Sequence, residues 1–206
     1  MPAIGKLKST KHHAAAKVDD MPGIYAALCD VDAVAALVLR FCLLTASRPS
    51  EAINAAWSEV DMAGRCWTLD PKRHKTGKPH RVPLADEALA VLRLAQARRI
   101  NNDPRVFAPK SGKAVSISTL LETLREASGD KAVTTHGSSR SCFDDFSVER
   151  MHHPEAVVSW CLGHGPKGKT AQAYRRADRF EERKQVMADW AAHLTSGARQ
   201  AIRRSK

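Results

Sequence analysis

The stretch LGHGPKGKTAQAYRR, Leu162 to Arg176, holds one of only two tyrosines in the chain, Tyr174, ten residues after a glycine-flanked histidine, His164. Tyr174 is followed by Arg175 and Arg176 and preceded by Lys167 and Lys169. Such neighbours are poor company for a packing residue and good company for a phosphate, which cations of this kind bind through charge-assisted hydrogen bonds. A phenol with a pKa of about 10 becomes a useful nucleophile when cations stabilise its phenolate or a neighbour takes its proton. Arg48 stands in TASRPSEAINAAW, where Pro49 suits the first turn of a helix and leaves the arginine at its start, beside the free amides. In DPKRHKTGKPH, Lys72, Arg73, His74, Lys75 and Lys78 crowd into one short run. The blander alternatives are a surface pair of Arg48 with Glu51 and an interfacial tyrosine.

Thirty-three Lys and Arg against 22 Asp and Glu give a net charge of +11 and a pI near 9.7. That surplus draws a protein to a polyanion in a salt-sensitive way, so nucleic acid is the leading partner. A membrane is disfavoured: the longest apolar stretch, AVAALVLRFCLLTA, is broken by Arg40 and has the length of a buried helix. No N-terminal segment combines a charged start, an apolar core and a small-residue cleavage site, so the chain reads as cytoplasmic. The five cysteines are scattered, with no CxxC pair, which fits reduced thiols. A zinc site could be drawn from His152, His153, Cys161 and His164, but only Cys161 and His164 have a ligand-like spacing; the expectation is no metal and no cofactor.

The elements that must position these groups are mostly helices. Residues 1–20 read as a basic lead-in strap, 21–195 as one domain and 196–206 as a basic tail. A short helix follows Pro22, and Asp32 is placed to cap a second in which Val34, Leu37, Val38, Phe41 and Leu44 recur at helical spacing. CWTL (Cys66 to Leu69) and RVPL (Arg81 to Leu84) read as two strands of a lysine-rich hairpin. Further helices are predicted over 86–98, over 118–127 with Thr119 and Glu122 as a capping box, over 135–149, and over 154–162 with Gly163 ending the last. Phe180, Val186, Met187, Trp190 and Leu194 form an apolar stripe on a terminal helix, expected to dock on its own domain with weak self-association. The fold class is α+β, mainly α, with a small antiparallel sheet.

Four ordered motifs resemble the tyrosine recombinases, the phage-type and genomic-island integrases, and the resemblance covers about residues 20–195. LLTASRPSEAINAAWSEVD is similar to the family's first-arginine segment, PKRHKTGKPHRVPL to its strand-turn-strand lysine segment, THGSSRSCFDDF to its histidine and second-arginine segment, and LGHGPKGKTAQAYRRAD to its last. The resemblance implies the catalytic-domain fold of that family and a catalytic set of Arg48, Lys75, His136, Arg140, His164 and the nucleophile Tyr174. It also implies site-specific DNA recombination through a 3′-phosphotyrosyl intermediate, in phage or genomic-island integration and excision, by a homo-oligomer assembled on DNA. Two guanidiniums suit such a reaction because they clamp the non-bridging oxygens bidentately and stay charged at any working pH.

The family pattern puts the second arginine three residues after the histidine, whereas HGSSR puts Ser139 there and Arg140 four residues on. On a continuous helix one residue is a turn of about 100° and a rise of about 1.5 Å, so the sequence favours a displaced or weakened Arg140 unless a bulged turn absorbs the extra residue. A catalytically impaired integrase remnant that holds DNA without cutting it is the alternative function. A helical transcription regulator would explain the charge but not the ordered series. Family members carry a DNA-binding domain ahead of the catalytic one, and residues 1–20 are too short to be it.

Overall fold

A computed structural model describes residues 15–74, 77–100, 102–164 and 178–204, with side chains to 197. Lys75 and Tyr174 therefore lie outside the described residues. The chain runs α1 (Met21–Asp30), α2 (Val34–Leu44), α3 (Pro49–Ile53), β1 (Val60–Asp61), β2 (Cys66–Leu69), β3 (His80–Pro83), α4 (Asp86–Ala97) and α5 (Ile117–Ser128). A π-turn (Gly137–Ser141), α6 (Cys142–Asp145) and a second π-turn (Phe146–Arg150) then form one irregular rod, followed by α7 (Glu155–Cys161) and α8 (Phe180–Arg204).

The apolar spacing of α2 does what the sequence implies and more: nine of its eleven residues are buried, so the helix is wrapped rather than half-covered. It lies against α1, α4, α5 and α8, and Phe41 stacks obliquely on Trp67 and Phe107 at 5.0 and 5.4 Å. Its cap differs from expectation. Ala33 holds the N-cap position, and Asp32 instead pairs with Arg98 at 2.7 Å. The cap of α5 is likewise Ser116, whose Oγ accepts the Thr119 N–H at 3.0 Å, three residues ahead of the expected box.

The sheet is antiparallel in the order β1-β2-β3, with Trp67 opposite Val82 and Leu69 opposite His80. The third strand, β1, was not legible in the sequence because it is two residues long. The terminal stripe is fully used: Val186, Met187, Trp190 and Leu194 are buried, and α8 lies across α1, α2, α4, α7 and β3 of its own domain. At the other end, Cys142 Sγ–H donates to the Ala16 carbonyl at 3.0 Å and Arg150 pairs with Asp19, which fastens residues 16–20 to the irregular rod.

Candidate functional site

Arg48 is the N-cap residue of α3, with extended backbone at φ −75° and ψ 143°. Glu51 holds it at two points, accepting the Arg48 backbone N–H at 2.9 Å through Oε2 and its Nη1–H at 2.8 Å through Oε1. Glu51 is buried while the arginine keeps 17% of its side chain exposed. The pairing of Arg48 with Glu51 offered by the sequence is thus present, and a buried carboxylate bonded at two points restricts where the partly exposed guanidinium can lie.

Arg140 is buried far more deeply, at 5% exposure. Its Nη1–H donates to the Ala46 carbonyl at 2.8 Å, and Nη2 donates to the Leu162 carbonyl at 2.7 Å and to His164 Nε2 at 3.1 Å. Ala46 lies just past the C-terminus of α2 and Leu162 is the C-cap of α7. Two helix ends, each with its carbonyls and the negative pole of its dipole, therefore converge on one guanidinium. That explains how a buried positive charge is tolerated with no carboxylate bonded to it among the described residues, the charges of Glu51 and Asp144 helping from a distance. Burial and, secondarily, the nearby charge of Arg48 bring its pKa down to about 10, so it remains a cation at neutral pH. Ala46 is in the left-handed region at φ 47°, an unfavourable conformation for a residue with a Cβ, and that backbone turn belongs to the carbonyl that holds Arg140.

The extra residue of HGSSR falls within a widened turn. Gly137–Ser141 is a π-turn closed by the Cys142 N–H on the Gly137 carbonyl, five residues back. A π-turn takes one surplus residue into a wider loop of backbone and returns the following helix to its original phase. Arg140, expected from its spacing to be displaced or weakened unless a bulged turn took up the extra residue, has its guanidinium in a three-acceptor cradle. His136 stands half-buried at the head of the same turn, and its carbonyl accepts the Ser139 hydroxyl at 3.5 Å.

His164 is exposed and clasped through its backbone. Its N–H donates to the Ser159 carbonyl and its own carbonyl accepts the Ser159 hydroxyl, both at 2.9 Å. A guanidinium only donates, so Nε2 is the accepting atom in the contact with Arg140. Gly163, at φ +68°, makes the turn between α7 and this histidine, a conformation that suits glycine.

Several residues at the site were missed or undervalued in the sequence. His74, one of five rivals in a basic run, is buried and stacks on buried His80 with ring centroids 5.0 Å apart. Burial holds the His74 pKa below its usual value, and burial with the charge of Arg183 takes His80 down to about 3, so His80 is neutral. Arg183 of α8 is fully buried and donates through Nη1 to the Asp178 carbonyl at 3.0 Å. Arg81 of β3 lies 3.9 Å over the Phe180 ring and pairs with the Asp178 carboxylate at 3.4 Å. Together they pin Asp178–Phe180, four residues after Tyr174, to the sheet and to α8. Only an HxxxxxH spacing across the hairpin hinted at the histidine stack; nothing local marks Arg183.

Among the described residues no three His, Cys, Asp or Glu side chains are grouped to hold a metal ion. His153 is bound to Asp189 at 2.9 Å, and burial pushes the Cys161 thiol up to about 12. Among the same residues no helix is long and apolar enough to cross a membrane.

Residues 16–180 match the Phage integrase family. The prophage integrase IntA of Escherichia coli (strain K12) is 31% identical over 72% of this chain and 36% of its own length. The prophage integrase IntZ of the same strain is 28% identical over 93% of this chain and 47% of its own length. The chain thus spans between about a third and a half of these curated relatives. Among solved structures, XerA recombinase aligns with a TM-score of 0.60 at 18% identity, over 94% of this chain and 65% of that one. A lambda integrase tetramer bound to a Holliday junction aligns with a TM-score of 0.59 at 18% identity, over 79% of this chain and 50% of that one. At such identities the likeness is one of fold: the catalytic-domain architecture of tyrosine recombinases.

Proposed function

The chain belongs to the phage integrase family, and we propose from that premise that it is the catalytic part of a site-specific recombinase that cuts and rejoins double-stranded DNA. One observation carries the reading. Arg140 is held by two helix ends, bonded to His164 and close enough to Arg48 to feel its charge, an arrangement that would let two guanidiniums and an imidazole meet one phosphate. The net charge of +11 supports a DNA partner, and recombinases and integrases solved in complex with DNA are among the structural neighbours, which supports it further.

In the reaction the Tyr174 oxygen bonds to phosphorus and the P–O5′ bond breaks. The phenolic proton leaves to solvent or an imidazole, and the departing 5′ oxygen takes a proton, for which Lys75 is the donor. Arg48 and Arg140 hold the non-bridging oxygens as charge builds on them, while His136 and His164 donate hydrogen bonds or relay protons. One phosphate ester replaces another, so religation by a 5′ hydroxyl needs neither ATP nor a redox partner. Assembly as a homo-oligomer on DNA and action in the bacterial cytoplasm, at the nucleoid, complete the proposal.

The test is a pool of nicked duplexes randomised across the cut site, from which a cleaving enzyme loses a short fragment and stays attached. The expected result is a band that survives denaturing electrophoresis, forms in EDTA and disappears with Tyr174→Phe. Salt-dependent binding with no such band would favour the DNA-holding remnant instead.

The π-turn makes a second prediction. Deleting Ser139 should close the wide turn to an ordinary helical one with both flanks in phase, so adduct formation should stay within about tenfold of the parent, well short of the roughly 10²–10³-fold cost of a lost oxyanion donor. A loss as large as that of Arg140→Ala would show that the turn does not absorb the residue.

A further inference from the structure

Both arginines of the proposed clamp depend on one short link between α2 and α3, residues 45–48. Ala46 supplies the carbonyl to which Arg140 Nη1–H donates at 2.8 Å. Arg48 follows two residues later, its Cα no more than about 7 Å from that of Ala46. Between them Ser47 is bonded at all three of its polar groups: its N–H donates to the Cys42 carbonyl at 3.2 Å, its carbonyl accepts the Cys42 S–H at 3.3 Å, and its hydroxyl bonds that of Thr45 at 2.9 Å. The Thr45 hydroxyl also donates to the Phe41 carbonyl at 2.7 Å, one turn back along α2. Burial pushes the Cys42 thiol up to about 11, so the sulfur keeps the proton it gives to Ser47.

Cys42, Thr45, Ala46 and Ser47 are all buried, so no water stands ready to replace these bonds. Ala46 sits between the two hydroxyl residues at φ 47°, a left-handed conformation that a residue with a Cβ keeps only where its surroundings over-determine it. The Thr45–Ser47 bond spans Ala46 from the residue before to the residue after and supplies that constraint. Resting on the proposed roles of Arg48 and Arg140, we propose that Thr45 and Ser47 are positioning residues for phosphate binding: their hydroxyl bond holds Ala46 in its left-handed turn and so fixes the carbonyl that grips Arg140 and the helix start that carries Arg48 as one rigid unit. Two cations that must meet the oxygens of one phosphate tolerate little change in spacing. A misplacement of about 1 Å can cost on the order of 10²-fold in rate.

The test separates the charge clamp from general stability. Parent, Arg140→Ala, Thr45→Val, Thr45→Ser and Ser47→Ala are compared for cleavage of the duplex that the parent captures covalently, made with either a phosphate or a methylphosphonate at the cut position. A methylphosphonate carries no negative charge and has less need of a second cation, so a defect in the clamp shrinks on it, whereas a loss of folded protein does not. The expected result is that Thr45→Val, which keeps the branched shape without the hydroxyl, and Ser47→Ala cleave the phosphate about 10–10²-fold more slowly. On the methylphosphonate both should approach the parental rate, in parallel with Arg140→Ala. Thr45→Ser, which keeps the hydroxyl, should stay near the parent on both substrates and guards against reading a packing defect as a positioning one. Parental cleavage of the phosphate by Thr45→Val and Ser47→Ala, equal slowing on both substrates, or a Thr45→Ser variant as slow as Thr45→Val overturns the role. If Arg140→Ala is itself no less impaired on the methylphosphonate, the phosphate clamp fails, and the proposal fails with it.

Discussion

Replacing Arg140 with alanine should reduce covalent adduct formation by about 10²–10³-fold, the usual cost of removing one donor aimed at developing negative charge. It should also lower stability, and the sign has to be argued because two effects oppose each other. Removal of a buried cation relieves its desolvation and its repulsion from Arg48, the two main causes of its lowered pKa. Against that, the Ala46 and Leu162 carbonyls and His164 Nε2 lose their donor. Buried acceptors left without a partner cost about 1–3 kcal/mol, and each of these carbonyls lies at a helix end where no amide of the helix itself can replace the guanidinium. A net destabilisation of roughly 1–2 kcal/mol is expected in urea denaturation. Arg140→Lys should keep the charge and little of the activity, because one ammonium cannot span two carbonyls on different helices as a planar fork does. Adduct formation by the lysine variant at the parental rate would refute the cradle as the source of the arginine's placement.

The second large effect is expected at Trp190. Its side chain is fully buried, its Nε1–H donates to the Leu43 carbonyl at 2.8 Å, and its ring meets Phe143 edge-on at 5.9 Å and Phe146 at 5.3 Å. It therefore joins α8 to the end of α2 and to the irregular rod carrying Arg140. Trp190→Ala should cost about 3–5 kcal/mol, a large part of the roughly 5–15 kcal/mol that holds a domain together. Thermal unfolding should show a fall in Tm of roughly 10 °C or more. The alternative is that α8 contributes chiefly to contacts between protomers. A stable solution dimer that Trp190→Ala dissociates without lowering Tm would establish that and contradict docking on the helix's own domain.

What could be read from the sequence was whatever depends on local periodicity or on an ordered set of residue types. The α2 stripe, the hairpin strands and the Phe180-to-Leu194 stripe each follow from the spacing of apolar residues. The pairing of Arg48 with Glu51 follows from their separation of three along a helix start. The remainder depended on backbone shape and long-range contact. Ala46 at φ 47° and Gly163 at φ +68° create the carbonyl anchors of Arg140, and neither position declares its conformation or its partner from 94 or 22 residues away. HGSSR reads as a phase error on an ideal helix unless a bulged turn takes up the surplus residue, and its sequence does not by itself declare the π-turn found there. The stacking of His74 on His80 appears only in the folded hairpin.

In the proposed function Tyr174 attacks a phosphodiester held by Arg48 and Arg140. The most direct measurement is to denature the chain after incubation with the nicked duplex pool, digest protein and DNA, and identify by mass spectrometry the peptide that retains a nucleotide. The account predicts a single modified peptide spanning Tyr174, linked through a 3′ phosphate, formed in EDTA and absent from Tyr174→Phe. A nucleotide on any other residue, or DNA retained only by salt-sensitive binding with an unmodified Tyr174 peptide, would contradict it.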